Sequence, residues 1–438
     1  MIAVVKEWLL LYLVLPLAEK IIGTNAFLWI KQINLMHYWS RDEIIAWQNK
    51  QLTAFIYHAY HHTVYYKRVF DELGIKPEDI LCKEDLKKLP IIDKDVVAKH
   101  FKDIIPDNIA KYPYRKARTG GTTGDPMWYF CDENTWGAVT AAKIKAWKTT
   151  KYRYGQKFVV LGSASLFPEK KSVIRKIYDL IRSEYPLNGM NMSDEICLQY
   201  VSFIKKKRIR FIYGYAASVY LLTKYIAENK IKIKIEGVFT TSEKLTDEYR
   251  TLMETTFQCQ VMDCYGAKDA GITGYEITRG ELHVGYNVIP ELINTIDKNT
   301  GTLLTTNFLN YAFPLIRYDF GDEAQLSLNP ASYNGDIITT IIGRSSDVMR
   351  LANGNNVTGP GFTILLKPFD IVAYQIQKVG DLEVELKIQK HSEKYTAEQE
   401  KEIVKTVLRY IGEDCKLTLV YVDKFEPLKN GKRRYFIN

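Results

Sequence analysis

No apolar run in this chain is long enough to cross a bilayer. The nearest approach, Trp8–Ala18 (WLLLYLVLPLA), holds Pro16 and is flanked by Lys6, Glu7, Glu19 and Lys20, whereas a span needs about 20 apolar residues. A secretory leader would carry a cleaner basic start and a small-residue cleavage site. The segment therefore reads as a helix packed on the protein's own body, with peripheral membrane contact through residues 8–18 as the second reading. Cysteine is scarce: six residues, at 82, 131, 197, 259, 264 and 415, without a C-x-x-C pair. That excludes a disulfide framework and a recognisable zinc site, and suits a reducing cytoplasm. Histidine adds nothing. His58, His61 and His62 share helical spacing, but no acid accompanies them as in H-E-x-x-H, so they read as the polar side of a helix. Nor does one charge sign dominate: 60 Lys and Arg against 51 Asp and Glu leave +9. The cluster Lys205-Lys-Lys-Arg-Ile-Arg210 fits a helix C-terminus, where cations offset the dipole. Nucleic acid is not an expected partner.

What is present is ordinary globular composition: 438 residues, 46% hydrophobic and 25% charged, enough for two or three domains. Residues 35 to 105 read as helical. Ser40-Arg-Asp-Glu43 is a capping box, and Ile44 to Phe70 repeats apolar residues at three- and four-residue intervals, the period of one helix face. From about 115 to 345, short β-branched or aromatic runs alternate with helix-length segments. Examples are Lys157–Leu161, Ile209–Tyr213, Gly237–Thr241 and Gln260–Cys264, and the pattern predicts an α/β architecture with largely parallel strands. Beyond 347 the texture predicts two strands around a Val379-Gly-Asp-Leu turn, a helix over Ala397–Tyr410 and a strand over Lys416–Val422. The expected domains are 1–346, with 1–105 mainly helical, and a small α+β domain over 347–438.

Five segments carry chemistry, and each has a plain structural alternative. Thr119-Gly-Gly-Thr-Thr-Gly-Asp-Pro126 can turn backbone N–H groups onto phosphate, or can be a flexible turn. It is neither a Walker A loop nor a Rossmann fingerprint. Tyr265-Gly-Ala-Lys-Asp269 follows an apolar strand; its carboxylate and ring could hold a cation and stack a base, or close a turn. Asp322, at the end of Ile316-Arg-Tyr-Asp-Phe-Gly-Asp322, can accept from a ribose diol or belong to a charged hairpin. Gly343-Arg-Ser-Ser-Asp347 lies at the domain junction, and Lys432 closes Pro427-Leu-Lys-Asn-Gly-Lys432 near the C-terminus.

Their order is more specific than any one of them. Together with Thr241-Ser-Glu243 and Ile212-Tyr-Gly-Tyr-Ala-Ala-Ser218, they strongly resemble the adenylate-forming (acyl-adenylate synthetase) superfamily. Within it the chain looks like the phenylacetate–CoA ligase-like branch, which holds the capsular-polysaccharide CapK proteins and the coenzyme F390 synthetases. The resemblance covers nearly the whole chain. It implies a large N-terminal domain with mostly parallel sheets and a small mobile C-terminal domain. ATP and Mg²⁺ are the implied cofactors, with CoA as a further one. Thr119, Gly120, Gly121, Thr122, Thr123 and Gly124 would hold the β- and γ-phosphates, and Ser242, Glu243 and Gly266 would line the nucleotide site. Tyr265 would stack on adenine, Asp269 would hold the metal, Asp322 would clasp the ribose and Arg344 would assist at the ribose-phosphate. Lys432 would bridge the carboxylate and the α-phosphate, and Asp347 would be the hinge. Leu161 to Phe167, Tyr213 to Ser218 and Thr240 to Glu243 would line the acyl pocket, where Tyr213, Tyr215 and Phe239 suit a flat acid.

The implied partners are a small carboxylic acid and, as acceptor, CoA, a carrier protein or an amino sugar; homodimer formation stays open. Transfer of AMP itself to a hydroxyl, and nucleotide binding without catalysis, are the competing activities. Four departures stand out. Met127 replaces a common Lys, Gly120 a common Ser, Lys268 a Thr or Ser, and Asp269 a Glu. Where several relatives carry cysteines near His283, this chain has Tyr275 and Glu276 upstream, so no structural zinc is implied.

Overall fold

The computed structural model describes residues 2–22, 24–119, 127–162, 166, 182–190, 192–327, 330–341, 348–353, 356–358, 362, 365–366, 368–390, 395–423, 425 and 436–437. The chain divides into two compact units. One comprises Met1–Thr119, Met127–Gln156 and Met262–Arg344, and the other Gly120–Pro126, Lys157–Val261 and Ser345–Asn438. Among the described residues no helix is long and apolar enough to cross a membrane.

The first unit begins with helices. Ser40 opens the helix Arg41–His62 with the expected box: its hydroxyl accepts from the Glu43 amide, and the Glu43 carboxylate accepts from the Ser40 amide. The apolar periodicity from Ile44 to Phe70 is divided between two helices, because Thr63 is extended. Its hydroxyl accepts from the Tyr66 amide and so starts a new helix, Val64–Leu73. An antiparallel hairpin pairs Tyr114–Arg118 with Trp128–Asp132, and Asp132 then caps the helix Glu133–Lys148.

The rest of this unit is an antiparallel array. Its strands lie in the order Ile289–Asp297, Thr300–Thr306, Tyr318–Leu326, Ile337–Ile341, Glu281–Val284, Ile272–Thr278, Gln260–Ala267. Parallel strands were expected as far as 345, and here the expectation fails for a simple reason. The links at 268–271, 279–280 and 298–299 are a few residues long, whereas a parallel crossover needs a dozen or more.

The second unit contains the parallel strands. Gly237–Thr241, Phe211–Tyr215, Phe158–Gly162 and Glu184–Asn188 run side by side in that order. Val159, Leu161, Ile212 and Val238 share one buried cluster with residues of the helices Asp194–Lys207, Ala216–Glu228 and Asp247–Phe257. The same unit contains the C-terminal α+β elements. Ile371–Lys378 and Glu383–Lys390 form the expected hairpin, and Lys416–Tyr421 runs parallel to the latter. The helix Ala397–Ile411 packs Ile403 and Val407 onto Ile376, Leu386 and Ile388.

Candidate functional site

In the first unit, two carboxylates are held by two tyrosines in a reciprocal pattern. The Tyr265 hydroxyl donates to Asp322 Oδ2 at 2.8 Å, and the Tyr318 hydroxyl donates to Asp269 Oδ2 at 2.9 Å. Tyr265 lies on the strand Gln260–Ala267, and Asp322 on Tyr318–Leu326. Those strands are four steps apart in the sheet order, roughly 19 Å if the sheet were flat. A tyrosine cannot reach that far, so the array curls and brings the two strands together. Asp322 is buried, Asp269 half-buried and Lys268 exposed.

Asp269 stands on a tight turn that is fastened from behind. Thr305 Oγ1 donates to the Ala270 carbonyl, and Asn287 Nδ2 to the Gly271 carbonyl. Gly271 has φ +66°, and a Cβ there would lie 2.1 Å from Asn307 Nδ2, so both conformation and space call for glycine.

The start of the Asp322 strand is pinned by Arg317, a non-glycine residue at φ +53°. Its guanidinium, itself buried, donates from Nε to Glu291 and from Nη1 to the Leu89 carbonyl. Burial pushes the Glu291 carboxyl above its usual range, with Arg317 opposing that shift. Ile92 bonds on both sides of Tyr318, to the Arg317 carbonyl and the Asp319 amide. The Leu89-Pro-Ile-Ile92 stretch therefore braces the strand.

Thr119 and Met127 close the two ends of the glycine-threonine segment. The Thr119 amide donates to the Met127 carbonyl at 2.9 Å, and the Met127 amide to Thr119 Oγ1 at 3.0 Å. Met127 is buried, with its sulfur 3.9 Å from the Tyr318 hydroxyl. The expected phosphate-loop residues Gly120, Gly121, Thr122, Thr123 and Gly124 lie outside the described residues, as do Arg344, Asp347 and Lys432.

In the second unit, Ser242 leaves the strand Gly237–Thr241 at φ +68°. That turn sends the Glu243 carboxylate to the first residues of the helix Ala216–Glu228, where Oε2 accepts from the Ala217 amide at 2.7 Å. Oε1 is buried with no hydrogen-bond partner among the described residues. Burial pushes this carboxyl up to about 7, partly offset by the Ala217 bond. Tyr213 pairs with Phe239 in register, and Phe211 stacks on Phe239. By the two-residue period of a strand, Phe211, Tyr213, Tyr215 and Phe239 occupy the sheet face opposite Ile212 and Val238. Tyr215 and Phe239 are wholly buried and Tyr213 half-buried, so of the three, Tyr213 has surface to offer a ligand.

Tyr318, Glu291, Leu89, Ile92, Thr305 and Asn287 escaped the sequence reading. One signal was available: Arg317 within the apolar Pro314-Leu-Ile-Arg-Tyr318 demanded a buried acid, but nothing marked Glu291 as that acid. Among the described residues no cluster of three or more His, Cys, Asp and Glu could cage a metal. Asp269 fits a different arrangement. Mg²⁺ usually keeps its waters and takes one or two carboxylates plus substrate phosphates, and a half-exposed carboxylate steadied through one oxygen meets that need.

No protein-family model matches the chain. It is similar to protein CapK of Staphylococcus aureus, 24% identical over 435 residues, 94% of each chain. It is also similar to the phenylacetate–coenzyme A ligase of Aromatoleum evansii, 26% identical over 336 residues, 72% of this chain and 74% of that one. Among solved structures it is similar to a 2-hydroxyisobutyryl-CoA ligase captured with 2-HIB-AMP and CoA in its thioesterification state. That match has a TM-score of 0.59, with 17% identity and 90% of each chain covered. The open conformation of that ligase gives a TM-score of 0.54. The adenylate-forming fold and the CapK and phenylacetate–CoA ligase relationship anticipated from the motifs are both found.

Proposed function

We propose that this chain, an adenylate-forming ligase by its fold and its relatives, activates a small carboxylic acid as acyl-AMP. It then passes the acyl group to a thiol of CoA or a carrier protein, or to an amine. A carboxylate oxygen bonds to the α-phosphorus of ATP, the α–β bridging P–O bond breaks, and pyrophosphate leaves. The acceptor's sulfur or nitrogen then bonds to the acyl carbon as the C–O bond to AMP breaks. Both reactants of the first step are anions, so the protein's task is positioning and charge neutralisation.

The observation that carries this reading is the reciprocal pair Tyr265–Asp322 and Tyr318–Asp269. It supports one carboxylate oriented for a ribose diol and another for a divalent cation, on neighbouring stretches of the same curled sheet. Tyr265 would present its ring to the base, with its hydroxyl steadying Asp322, the acid assigned to the ribose. Mg²⁺ on Asp269 would supply positive charge to the phosphate oxygens. Thr119 and Met127 hold together the ends of the segment assigned to the β- and γ-phosphates. Arg344 and Lys432 would supply cationic charge to the phosphates, Lys432 also meeting the attacking carboxylate. Tyr213 would border the acid. The similarity to protein CapK over 94% of the chain supports the surface-polysaccharide role that the motif resemblance implies, with the acceptor a thiol or an amine.

The test is exchange of labelled pyrophosphate into ATP in the presence of a panel of acids. At least one acid should drive exchange, and Lys432→Ala should cut its rate by about 10²–10³. Acid-independent exchange, or a Lys432→Ala variant as fast as the parent, overturns the assignment.

A further inference from the structure

The N-terminal helical segment is amphipathic the wrong way round for a soluble protein. It runs as helix over Ile2–Leu9, a π-helical turn over Leu10–Val14 and helix over Leu15–Ile22. Pro16, which has no N–H for the i−4 carbonyl, accounts for the irregular turn. The side facing the protein carries Glu7, Leu11, Leu15 and Glu19, all buried. Glu7 accepts from the Tyr154 amide and pairs with Lys148 at 3.2 Å, while Glu19 accepts from the Phe27 amide. The side facing solvent carries Val4, Val5, Trp8, Leu9, Tyr12, Leu13 and Leu17, with Trp8 53% and Leu17 66% exposed. Residues 1 to 22 contain two acids, Glu7 and Glu19, and both are turned inward. Of the two lysines, Lys6 turns its ammonium to the Gly155 carbonyl at 2.8 Å, and Lys20 is the charge left outside.

We propose that this outward face docks flat on an anionic phospholipid bilayer. Three observations select a lipid surface. The face combines a continuous apolar stripe with Lys20 and no outward carboxylate, the charge complement of acidic headgroups. Trp8 and Tyr12 stack on one another in the stripe, and these are the residue types that settle at the headgroup level. The apolar surface continues onto the neighbouring helix Ala26–Met36, where Leu28 and Leu35 are exposed and Lys31 sits over the Phe27 ring. Phe27 in turn meets Tyr12 edge-on. Spanning is excluded by the flanking charges and the inward-facing carboxylates, so the segment lies in the interface plane.

The experiment is co-sedimentation of the full chain with vesicles of phosphatidylcholine alone, and of phosphatidylcholine mixed with phosphatidylglycerol. The protein should pellet with the mixed vesicles, and less so as salt is raised. The triple variant Trp8→Glu, Leu13→Glu, Leu17→Glu should lower the partition at least about tenfold with an unchanged circular dichroism spectrum and pyrophosphate exchange. Lys20→Glu should weaken binding to the anionic vesicles alone. If the triple variant loses its fold, Leu17→Ser carries the same test at the most exposed position. The proposal falls if the parent pellets with neither vesicle, or if the folded variants pellet like the parent. It also falls if light scattering finds a dimer that the variants dissolve while no form binds lipid, since a second copy then covers the face.

Discussion

Glu243 sits where a carboxyl is hard to ionise. Its folded pKa of about 7 lies above the ordinary 4.5 because the group is buried. The folded state therefore holds the proton more tightly than the unfolded chain does. The resulting stability is fully present below pH 4.5 and is lost as pH rises through about 7. Glu243→Gln removes that titration. Its melting temperature should gain on the parent's between about pH 5 and about pH 8, read by calorimetry across that window. A difference that stays constant with pH would mean that the carboxyl ionises freely. Glu243 was legible in the sequence as part of a motif. Its burial and its hold on the Ala217 amide were not, because the helix it reaches lies some two dozen residues upstream.

Elements orient these groups, and the turn between Ala267 and Ile272 is where orientation is most tightly specified. Gly271→Ala would place a methyl against Asn307 at a left-handed backbone position, costing at least about 1–3 kcal/mol. The expected result is a lower melting temperature together with a raised Mg²⁺ requirement in pyrophosphate exchange, since Asp269 stands two residues away. Loss of stability with an unaltered Mg²⁺ requirement would detach the turn from metal binding. The strand Tyr318–Leu326 depends similarly on the Arg317–Glu291 pair. Glu291→Leu removes both carboxylate oxygens and leaves a buried guanidinium with only the Leu89 carbonyl among its named partners, and should cost about 3 kcal/mol. Chemical denaturation measures it, and a loss below about 1 kcal/mol would make the pair no more important than a surface one. Helices and strands with strong local signals, such as the Ser40 box and the 371–390 hairpin, could be read directly. The antiparallel direction after Cys264 was missed because strand runs look alike whichever way they pair; the short links decide.

For the molecule as a whole, the working proposal is one catalytic cycle with two arrangements, adenylation and acyl transfer, related by rotation at Asp347. Asp347→Pro would fix φ at that position. Acid-dependent pyrophosphate exchange should survive while acyl transfer from preformed acyl-AMP falls by about tenfold or more. Equal loss of both half-reactions would remove Asp347 from the hinge role.

Legible in the sequence were the carboxylates, hydroxyls and cations that the chain owns, in an order that resembles that of the adenylate-forming superfamily. The sequence also determined the local elements, because caps, periodicity and turn residues act over a few positions. How those groups are held is set by the fold. The curl that joins Tyr265 to Asp322 and Tyr318 to Asp269, the acid opposite Arg317, and the inward turn of Glu7 all depend on contacts between residues far apart in the chain. Such contacts follow from how curved sheets and packed helices close on themselves, and no short stretch of sequence encodes that closure.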